Sequence, residues 1–519
     1  MSITLIRIGT VVFLVLLLSG TSVNVNAQSS TLLSEDVAEF GLEVVVCTYF
    51  GGSELEWAGK SDFDSEGNLV LTGHTMSTDL PVQNANQSTY AGLGDAFVLK
   101  MSTDREIIFA TYFGGSGLEE AMALIVDEED NIIIAGGTTS TNLPLQNPIQ
   151  DERNGTDDGF IAKFSPTGNL VFSSYLGGSG EDRIERINID QYGNYIFTGR
   201  TGSDDFIVTP GVYQDTNGGG VTDLIITALS DDCQTIEYST YFGNSADEVG
   251  LDVDVDNLGN LVVVGLASAE TNTTEGVYQR DYGGGQSDSV IAKFSPNCTE
   301  LLWSTLLGGN DWEFGDDVDF DSSNNIVVSG YTGSTDFPLV DQFYNNAPNH
   351  DAFFAKLDPN GETLVFSTLL GGNLEDRSYG MEVLSDDAII ITSPASSTDM
   401  PTLNALQSNN SGGSDGYLAI FTDAGLIYAS YLGGEGNDYV MGMSVYNEEL
   451  VAIVGYTHSQ DLVMHNAIQT ENAGSGDIVI WILSPPEEGP IGNPLGPVMV
   501  IGIIGVIVLL GVIVVYKKR

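Results

Sequence analysis

The sequence predicts an all-β fold, a seven-bladed β-propeller whose blades are four-stranded antiparallel sheets. The first observation is a tripeptide of Phe or Leu followed by Gly-Gly, once by Gly-Asn, which recurs at intervals of about 62–66 residues. The second is that each interval holds four short β-type runs separated by turn residues. Radial stacking of such units leaves only short, protected strand edges, which is typical of propellers. The tripeptides begin at Phe50, Phe113, Leu176, Phe242, Leu307, Leu370 and Leu432.

The N-terminal residues have the pattern of a secretory signal peptide. Arg7 precedes the apolar run Val11–Leu18, and Val25-Asn26-Ala27 forms a small-x-small cleavage site before Gln28. An apolar run of this length is typical of a signal peptide and short for a membrane anchor. We therefore expect residues 1–27 to be a signal peptide and residues 28–39 to lead into the propeller.

Residues 40–484 hold the repeats, and the phase of the repeats predicts how the ring closes. The last repeat supplies only three strands before Pro485-Pro486 ends it. A surplus strand, Glu43–Phe50, precedes the first repeat and has the character of a fourth strand. The N-terminal strand is therefore expected to complete the last blade.

The C-terminal segment predicts a single-pass membrane protein at the cell surface. Residues 485–497 form a Pro-rich linker, and residues 498–516 an apolar segment close to the ~20 residues that span a bilayer as a transmembrane helix. Residues 517–519 are a basic tail, which the positive-inside rule places in the cytoplasm. The propeller is then extracellular. The alternative is a sorting signal whose apolar span is removed after transfer to another anchor.

The composition of the chain argues against one class of ligand. The chain has 72 acidic and 16 basic residues and a formal net charge of −56, which argues against a nucleic-acid ligand because phosphate contacts need Lys and Arg. Three cysteines give no disulfide framework. Cys233 and Cys298 occupy equivalent turns of adjacent repeats. Facing sheets pack ~10 Å apart, whereas a disulfide needs Cα atoms within ~7 Å, so we expect no bond between them.

Several motifs resemble a known family. Tyr175–Asp182 (YLGGSGED), Asp336-Phe337-Pro338 and Asp351–Gly361 (DAFFAKLDPNG) are similar to the SBBP repeat, the seven-bladed propeller repeat of exported bacterial and archaeal proteins. The resemblance covers nearly all of residues 40–484. The fourth repeat departs from it in lacking the Asp-aromatic-Pro motif, and the sixth and seventh in lacking the Gly-Asn turn. The resemblance implies an extracellular scaffold and brings no catalytic residues.

Comparison of the repeats with one another finds three polar positions that every repeat shares. A carboxylate follows the first anchor glycine by five residues: Glu56, Glu119, Asp182, Glu248, Glu313, Asp376 and Asp438. An aspartate begins each third strand: Asp95, Asp158, Asp223, Asp288, Asp351, Asp415 and Asp477. A glutamine precedes that aspartate by eight or nine residues: Gln87, Gln150, Gln214, Gln279, Gln342, Gln407 and Gln469. Either these groups hydrogen-bond the loops, or the first set forms a carboxylate ring at the channel mouth that attracts cations and binds ligand.

One acidic cluster departs from the repeat background. Asp252 and Asp254 alternate with apolar residues on one inner strand, and Asp317 and Asp319 do the same on the next. Period two places each set on one face, where like charges destabilise a sheet unless they are solvated, protonated or bridged by a cation. These four residues are candidate Ca²⁺ ligands in a non-EF site. The other interpretation is a wet, cation-screened channel wall, without any cofactor.

The sequence favours a binding protein over an enzyme. It contains no His-Glu-x-x-His or Walker motif. We therefore predict a membrane-anchored scaffold for extracellular binding or adhesion, with a protein or glycan ligand. The alternative is an exported propeller enzyme, a hydrolase or lyase of polysaccharide that uses acidic residues at the channel mouth. Asymmetric acids with His or Arg in the central pocket would favour the enzyme, and a uniform rim would favour the scaffold.

Overall fold

The computed structural model describes residues 5–8, 11–14, 41–269, 271–344 and 350–486 of the chain. Contacts divide the chain into two units, Met1–Glu39 and Phe40–Arg519. In the first unit, β1 (Leu5–Ile8) pairs with β2 (Val11–Leu14) as an antiparallel hairpin.

The predicted leader 28–39, most of the linker, the apolar segment 498–516 and the basic tail lie outside the described residues, as does most of the predicted signal peptide. Within the described part of the chain, no helix is long and apolar enough to cross a membrane.

The second unit consists of seven four-stranded antiparallel sheets, which are the blades of a propeller. Blade 1 contains β4 (Glu56–Phe63), β5 (Leu69–Thr75), β6 (Asp95–Met101) and β7 (Ile107–Phe113). Blade 2 contains β8 (Glu119–Val126), β9 (Ile132–Thr138), β10 (Asp158–Phe164) and β11 (Leu170–Leu176). Blade 3 contains β12 (Asp182–Ile189), β13 (Tyr195–Thr201), β14 (Asp223–Leu229) and β15 (Ile236–Phe242). Blade 4 contains β16 (Glu248–Val255), β17 (Leu261–Ala267), β18 (Asp288–Phe294) and β19 (Leu301–Leu307).

The remaining blades follow the same pattern. Blade 5 contains β20 (Glu313–Phe320), β21 (Ile326–Thr332), β22 (Asp351–Leu357) and β23 (Leu364–Leu370). Blade 6 contains β24 (Gly380–Val383), β25 (Ile389–Ala395), β26 (Asp415–Thr422) and β27 (Gly425–Leu432). Blade 7 contains β28 (Asp438–Tyr446), β29 (Leu450–Thr457), β30 (Asp477–Ser484) and β3 (Glu43–Phe50). The predicted all-β, seven-bladed architecture is confirmed.

The N-terminal strand closes the ring. β3 pairs antiparallel with β30, with Glu43 opposite Ser484 and Phe50 opposite Ile478. Side chains of β3 pack with blade 7 and blade 1 in one apolar cluster that includes Phe50, Phe97 and Ile480. The predicted closure by residues 43–50 is therefore confirmed.

Apolar side chains fill the spaces between neighbouring blades. Every residue of β5 and β6 is buried, because the middle strands of a blade are covered on both faces. One cluster joins Ile226 of blade 3 to Val263 and Val290 of blade 4, and the other interblade spaces are filled in the same way. The core is therefore distributed around the ring, and the inner strands are left to line a central channel.

The two faces of the ring differ. The loop-rich face carries the connections that lead into the first and third strands of each blade. Asp477 lies on that face, because a Cβ added at Gly51 would meet the carboxylates of both Asp477 and Glu56. β30 then runs to Ser484, so the chain leaves the last blade on the opposite face, which carries short hairpins.

The cysteines of the described residues are buried and unbonded. Cys233 and Cys298 occupy equivalent turns with positive φ values of 59° and 52°. The prediction that they form no disulfide is confirmed.

Candidate functional site

The seven carboxylates that follow the anchor glycines are buried beneath the loop-rich face. Glu56 accepts a hydrogen bond from the backbone N–H of Gly52 at 3.0 Å and another from the hydroxyl of Thr75 at 2.7 Å. The corresponding backbone N–H donates to the carboxylate in every other blade, at Glu119, Asp182, Glu248, Glu313, Asp376 and Asp438. Each of the seven residues is 0% exposed. This placement favours loop support over a ring that is open to cations or ligand.

The aspartates that begin the third strands are also fully buried. Asp95 accepts hydrogen bonds from Gln87 and from the backbone N–H of Ala91, each at 3.0 Å. The repeated glutamine donates in the same way to Asp158, Asp288, Asp415 and Asp477. Asp223 instead accepts from the Gly218 N–H. Asp351 has no hydrogen-bond partner among the described residues, and part of its preceding loop, 345–349, is not described.

The two sets of carboxylates explain the anchor glycine. A Cβ on Gly114 would lie 2.6 Å from the Glu119 carboxylate and 2.7 Å from that of Asp95. Burial raises the pKa of Asp95 to about 7 and that of Asp351 to about 8. The polar positions that repeat seven times therefore belong to the architecture of the blades.

The central channel breaks the sevenfold repetition. Each blade contributes one residue to the channel from the same repeat position. In six blades this residue lies in a β-bulge of the first strand, and in blade 6 it lies just before β24. These residues are Gly59, Met122, Glu185, Leu251, Asp316, Tyr379 and Met441. With Lys60 and Arg186 they line a cavity of about 140 Å³. Its walls are therefore apolar, acidic, basic and aromatic in different blades.

Lys60 and Arg186 hold the acids of the channel wall. Arg186 donates to Asp252 at 3.1 Å and to Asp317 at 2.7 Å, and it thereby bridges blades 3, 4 and 5. The ammonium of Lys60 lies 3.5 Å from Asp317 and donates to the backbone oxygen of Tyr379 at 3.0 Å. Burial lowers the pKa of Lys60, and the neighbouring Arg186 lowers it further.

Two buried oxygens in this wall have no hydrogen-bond partner among the described residues: Oδ2 of Asp316 and Oδ2 of Asp317. Burial, with the charge of Asp317, raises the pKa of Asp316 well above its ordinary value. Native proteins pair nearly all such atoms with protein, water or ligand. The cavity therefore has unused hydrogen-bonding capacity in blade 5.

The four candidate calcium ligands divide between two levels of the channel. Asp252 and Asp317 are held by Arg186, so a protein cation already neutralises them. Asp254 accepts from the Asn188 amide at 2.8 Å, and Asp319 from the Val383 N–H at 2.7 Å. No group of three or more His, Cys, Asp or Glu residues in the described ranges has the geometry of a metal site. A Ca²⁺ ion thus stays a prediction without a ligand set in this structure.

Near the hairpin face the channel carries an acidic ring, which we define as Asp62, Asp254, Asp319 and Glu382. Burial raises the pKa of Asp62 and of Asp319 to about 6 each. Burial and repulsion by Asp319, Asp62 and Asp254 raise the pKa of Glu382 to about 8. None of the four forms an ion pair within the described residues. Charge repulsion in the ring is therefore relieved by protonation or by solution cations.

Aromatic side chains cluster at the loop-rich ends of the first and second strands in three blades; Trp57 is 41% exposed, and Tyr331 is buried. Trp57 stacks on Tyr456 with 6.0 Å between ring centroids, and Tyr456 stacks on Tyr439 at 4.8 Å. In blade 5, Phe314 stacks on Tyr331 at 4.8 Å and 10°. We call these five residues the aromatic arc. It extends over blades 5, 7 and 1.

Arg377 supplies the blade 6 portion of the same rim. Its guanidinium lies 4.7 Å from the centroid of the Tyr331 ring, within cation–π range, and donates to the Tyr379 hydroxyl at 3.2 Å. Glu375 forms an ion pair with it. Arg377 therefore joins blade 6 to the Tyr331 ring of blade 5, and its charge is compensated by Glu375.

The opposite side of the mouth is a charged arc in blades 2 and 3, which we define as Glu120, Arg183, Glu185 and Arg200. Arg183 pairs with Glu120 and lies 3.6 Å from Glu185, and Arg200 donates to Glu185 at 2.9 Å. Each guanidinium thus has carboxylate partners. The mouth is therefore divided into an aromatic half and an ion-paired half.

Neither the aromatic arc nor the bulge residues were found from the sequence. Comparison of repeats detects positions whose residue type recurs, and these positions differ from blade to blade. The sequence does carry a signal for the channel residues, which is variability. They lie nine residues after the start of each tripeptide, and the residue type at that position changes from repeat to repeat.

Comparisons with known proteins found only distant similarity. No family model matches the chain. An uncharacterised WD repeat-containing protein, L264 of Acanthamoeba polyphaga mimivirus, is 21% identical in an alignment of 361 positions that covers 60% of this chain and 25% of that protein. The chain therefore matches only a quarter of the length of this curated relative.

Solved structures with similar folds have low sequence identity. A polysaccharide lyase of family PL25, an ulvan lyase, is 9% identical with a TM-score of 0.48, over 85% of this chain and 95% of that one. The Pan2 WD40 domain of Neurospora crassa is 8% identical with a TM-score of 0.43, over 86% and 96%. Pyrococcus horikoshii acylaminoacyl peptidase is 8% identical with a TM-score of 0.39, over 82% and 51%. These likenesses concern the fold alone. By its own blades and closure, the chain is a seven-bladed β-propeller.

Proposed function

We propose that this protein is a membrane-anchored extracellular propeller that binds a protein or glycan ligand at the loop-face mouth of its channel. The observation that supports it is the division of the mouth into an aromatic arc and a charged arc. Polar groups that the fold needs recur in all seven blades, whereas these two arcs occur once each. An exposed concave surface with aromatic rings beside a few oriented polar groups is typical of binding sites.

The proposed location rests on the ends of the sequence. The signal-peptide pattern of residues 1–27, the apolar segment 498–516 with its basic tail, and the resemblance to SBBP repeats all favour an exported, anchored protein. Ser484 leaves blade 7 on the hairpin face. A short linker from there to the membrane would turn the mouth outward, where a ligand can reach it.

The test is binding by a soluble form, residues 28–486, on arrays of glycans and extracellular proteins. We expect a small set of ligands whose binding is lost when Trp57 and Arg377 are both replaced by Ala. Tyr192, which is 72% exposed on the hairpin face, gives the matched control Tyr192→Ala. Ligands that bind both variants equally well would place binding elsewhere and contradict the proposal.

A second candidate function, a polysaccharide-cleaving enzyme, is favoured by one observation. The cavity brings together Asp316, whose pKa is raised by burial, and Lys60, whose pKa is lowered by burial. A carboxylic acid that stays protonated can donate a proton, and an amine that loses its proton easily can accept one. The same cavity is asymmetric and combines acids with Arg186, as expected of an enzyme.

The two functions separate in one assay. The soluble form is incubated with a panel of polysaccharides, and release of reducing ends is measured over days. Turnover that Asp316→Asn abolishes, with an unchanged melting temperature, would establish the enzyme. Binding without turnover would contradict the enzyme and support the binding protein.

A further inference from the structure

We infer that the ligand is a neutral oligosaccharide, one terminal unit of which enters the cavity while the next units lie on the aromatic arc. This inference rests on the proposed function, because it names the ligand class for the same mouth. Aromatic stacking, compensated charge and the size of the cavity each support it.

The aromatic arc offers a rigid, partly apolar surface. Trp57 is 41% exposed, although it stacks on Tyr456, which in turn stacks on Tyr439. Rings that support one another are already ordered before a ligand arrives, so binding orders few side chains. The C–H face of a pyranose ring is flat and apolar and carries hydroxyls at its edge. It fits an exposed indole that has polar groups nearby.

Hydrogen-bonding groups stand opposite these rings. The charged arc presents carboxylate oxygens and guanidinium N–H groups that are fixed by their mutual ion pairs. Sugar hydroxyls both donate and accept hydrogen bonds, so they can use both kinds of group without displacing either. A hydrophobic peptide side chain would displace water from these ion pairs without replacing its hydrogen bonds, at a cost in binding.

The charges of the mouth argue against an acidic glycan. Each of Arg183, Arg200 and Arg377 already has a carboxylate partner. An anionic sugar would have to compete with these partners. It would also approach a chain with a formal net charge of −56, which repels polyanions over long range. A neutral sugar incurs neither cost.

The cavity sets how much of the chain can enter. Its volume of about 140 Å³ is below the ~300–1,000 Å³ of sites that enclose drug-sized ligands. One terminal unit can therefore enter only in part, and the following units remain at the mouth. Asp316 Oδ2, a buried oxygen without a partner, lines this cavity. A hydroxyl of the terminal unit would satisfy it.

The test uses the full chain in lipid nanodiscs and isothermal titration calorimetry. The probes are neutral gluco-, manno-, galacto- and xylo-oligosaccharides of about six units, oligogalacturonate and a sulfated oligosaccharide of similar length, and a Lys-rich peptide. We expect at least one neutral series to bind. Trp57→Ala should weaken it about tenfold, in the range of one lost aromatic contact. Asp316→Asn should weaken it as well, and Tyr192→Ala should leave it unchanged.

The outcomes separate this inference from the proposed function. Binding of only an acidic probe or the peptide, lost in Trp57→Ala, would overturn the inference and keep the mouth as the binding site. Binding of a neutral probe that is unaffected by Trp57→Ala and Asp316→Asn would overturn both. Failure of every neutral series to bind would overturn the inference, while a ligand from the arrays that needs Trp57 would still support the proposed function. Trp57→Phe, which keeps a ring, should retain part of the affinity if stacking is the cause.

Discussion

At the scale of single residues, the repeated glycine is explained by what lies beside it. The first glycine of each tripeptide separates the carboxylate of the first strand from the aspartate of the third strand. At Gly308, for example, a Cβ would lie 2.6 Å from Asp288 and 2.6 Å from Glu313. The first glycine of the tripeptide is therefore a consequence of two buried acids that both occupy the place of its missing side chain.

Gly114→Ala tests this explanation. The added methyl group must displace Glu119 or Asp95, both of which are held by loop hydrogen bonds. We expect a loss of about 1–3 kcal/mol of stability, the usual cost of overpacking, measured by denaturant unfolding. Gly41→Ala is the control, because a Cβ there meets nothing within 4 Å. Equal stability of the two variants would show that the carboxylates are not rigidly placed.

At the scale of elements, the strands and the channel differ in how far the sequence predicted them. The recurring tripeptide predicted the seven blades. The missing fourth strand of the last repeat predicted the place of β3, because every other repeat has four strands. The channel residues have no recurring type, since the same repeat position is occupied by Gly59 in blade 1, Glu185 in blade 3 and Tyr379 in blade 6. Bulge geometry also turns these residues toward the channel, and alternation along a strand does not reveal it.

The acidic ring predicts an unusual dependence of stability on pH. The folded-state pKa of Glu382, about 8, lies above its ordinary 4.5, so the folded protein binds this proton more tightly than the unfolded chain. Its unfavourable contribution is therefore absent below about pH 4.5 and grows until the pH passes about 8. Asp62 and Asp319, each with a pKa of about 6, act in the same direction at lower pH.

Glu382→Gln should therefore stabilise the protein at high pH only. Near pH 4, below the pKa of Glu382 in both the folded and the unfolded chain, the variant and the wild type carry the same neutral group, and their melting temperatures should agree. Near pH 9 the variant should melt on the order of 2 °C higher. Glu66→Gln, at an exposed hairpin position, is the control for loss of one negative charge. A difference that does not change with pH would contradict ionisation inside the ring.

At the scale of the whole molecule, the net charge of −56 predicts sensitivity to ions. Repulsion between acids weakens as the Debye length falls to ~8 Å near 0.15 M salt. We expect the melting temperature to rise with NaCl. If Asp252, Asp254, Asp317 and Asp319 bind Ca²⁺, it should rise further with CaCl₂ at matched ionic strength. Identical curves in the two salts would remove the calcium site and leave the screening effect.

The orientation of the ring on the cell is tested by a matched pair of cysteines. Leu93 on the loop-rich face is 74% exposed, and Tyr192 on the hairpin face is 72% exposed. On intact cells, a bulky maleimide should label Leu93→Cys several times faster than Tyr192→Cys, because the hairpin face is proposed to look toward the membrane. After solubilisation the two rates should agree. The native Cys47, Cys233 and Cys298 are buried and give little background. Equal rates on cells would reverse or remove the proposed orientation.

The closure of the ring by β3 also fixes an order of events during synthesis. Thr48 of β3 receives hydrogen bonds from the backbone N–H groups of Ile468 and Gln469, which follow it by about 420 residues along the chain. At ~5–20 residues per second, β3, the first strand of the propeller to be made, waits roughly 20–80 s before its partner exists. Until then Glu43–Phe50 is an unpaired apolar segment of the kind that adds to other sheets. The blade that is completed last depends on the propeller strand that is made first, so we expect folding to be most efficient where that strand is kept from other sheets until Asp477–Ser484 has been made.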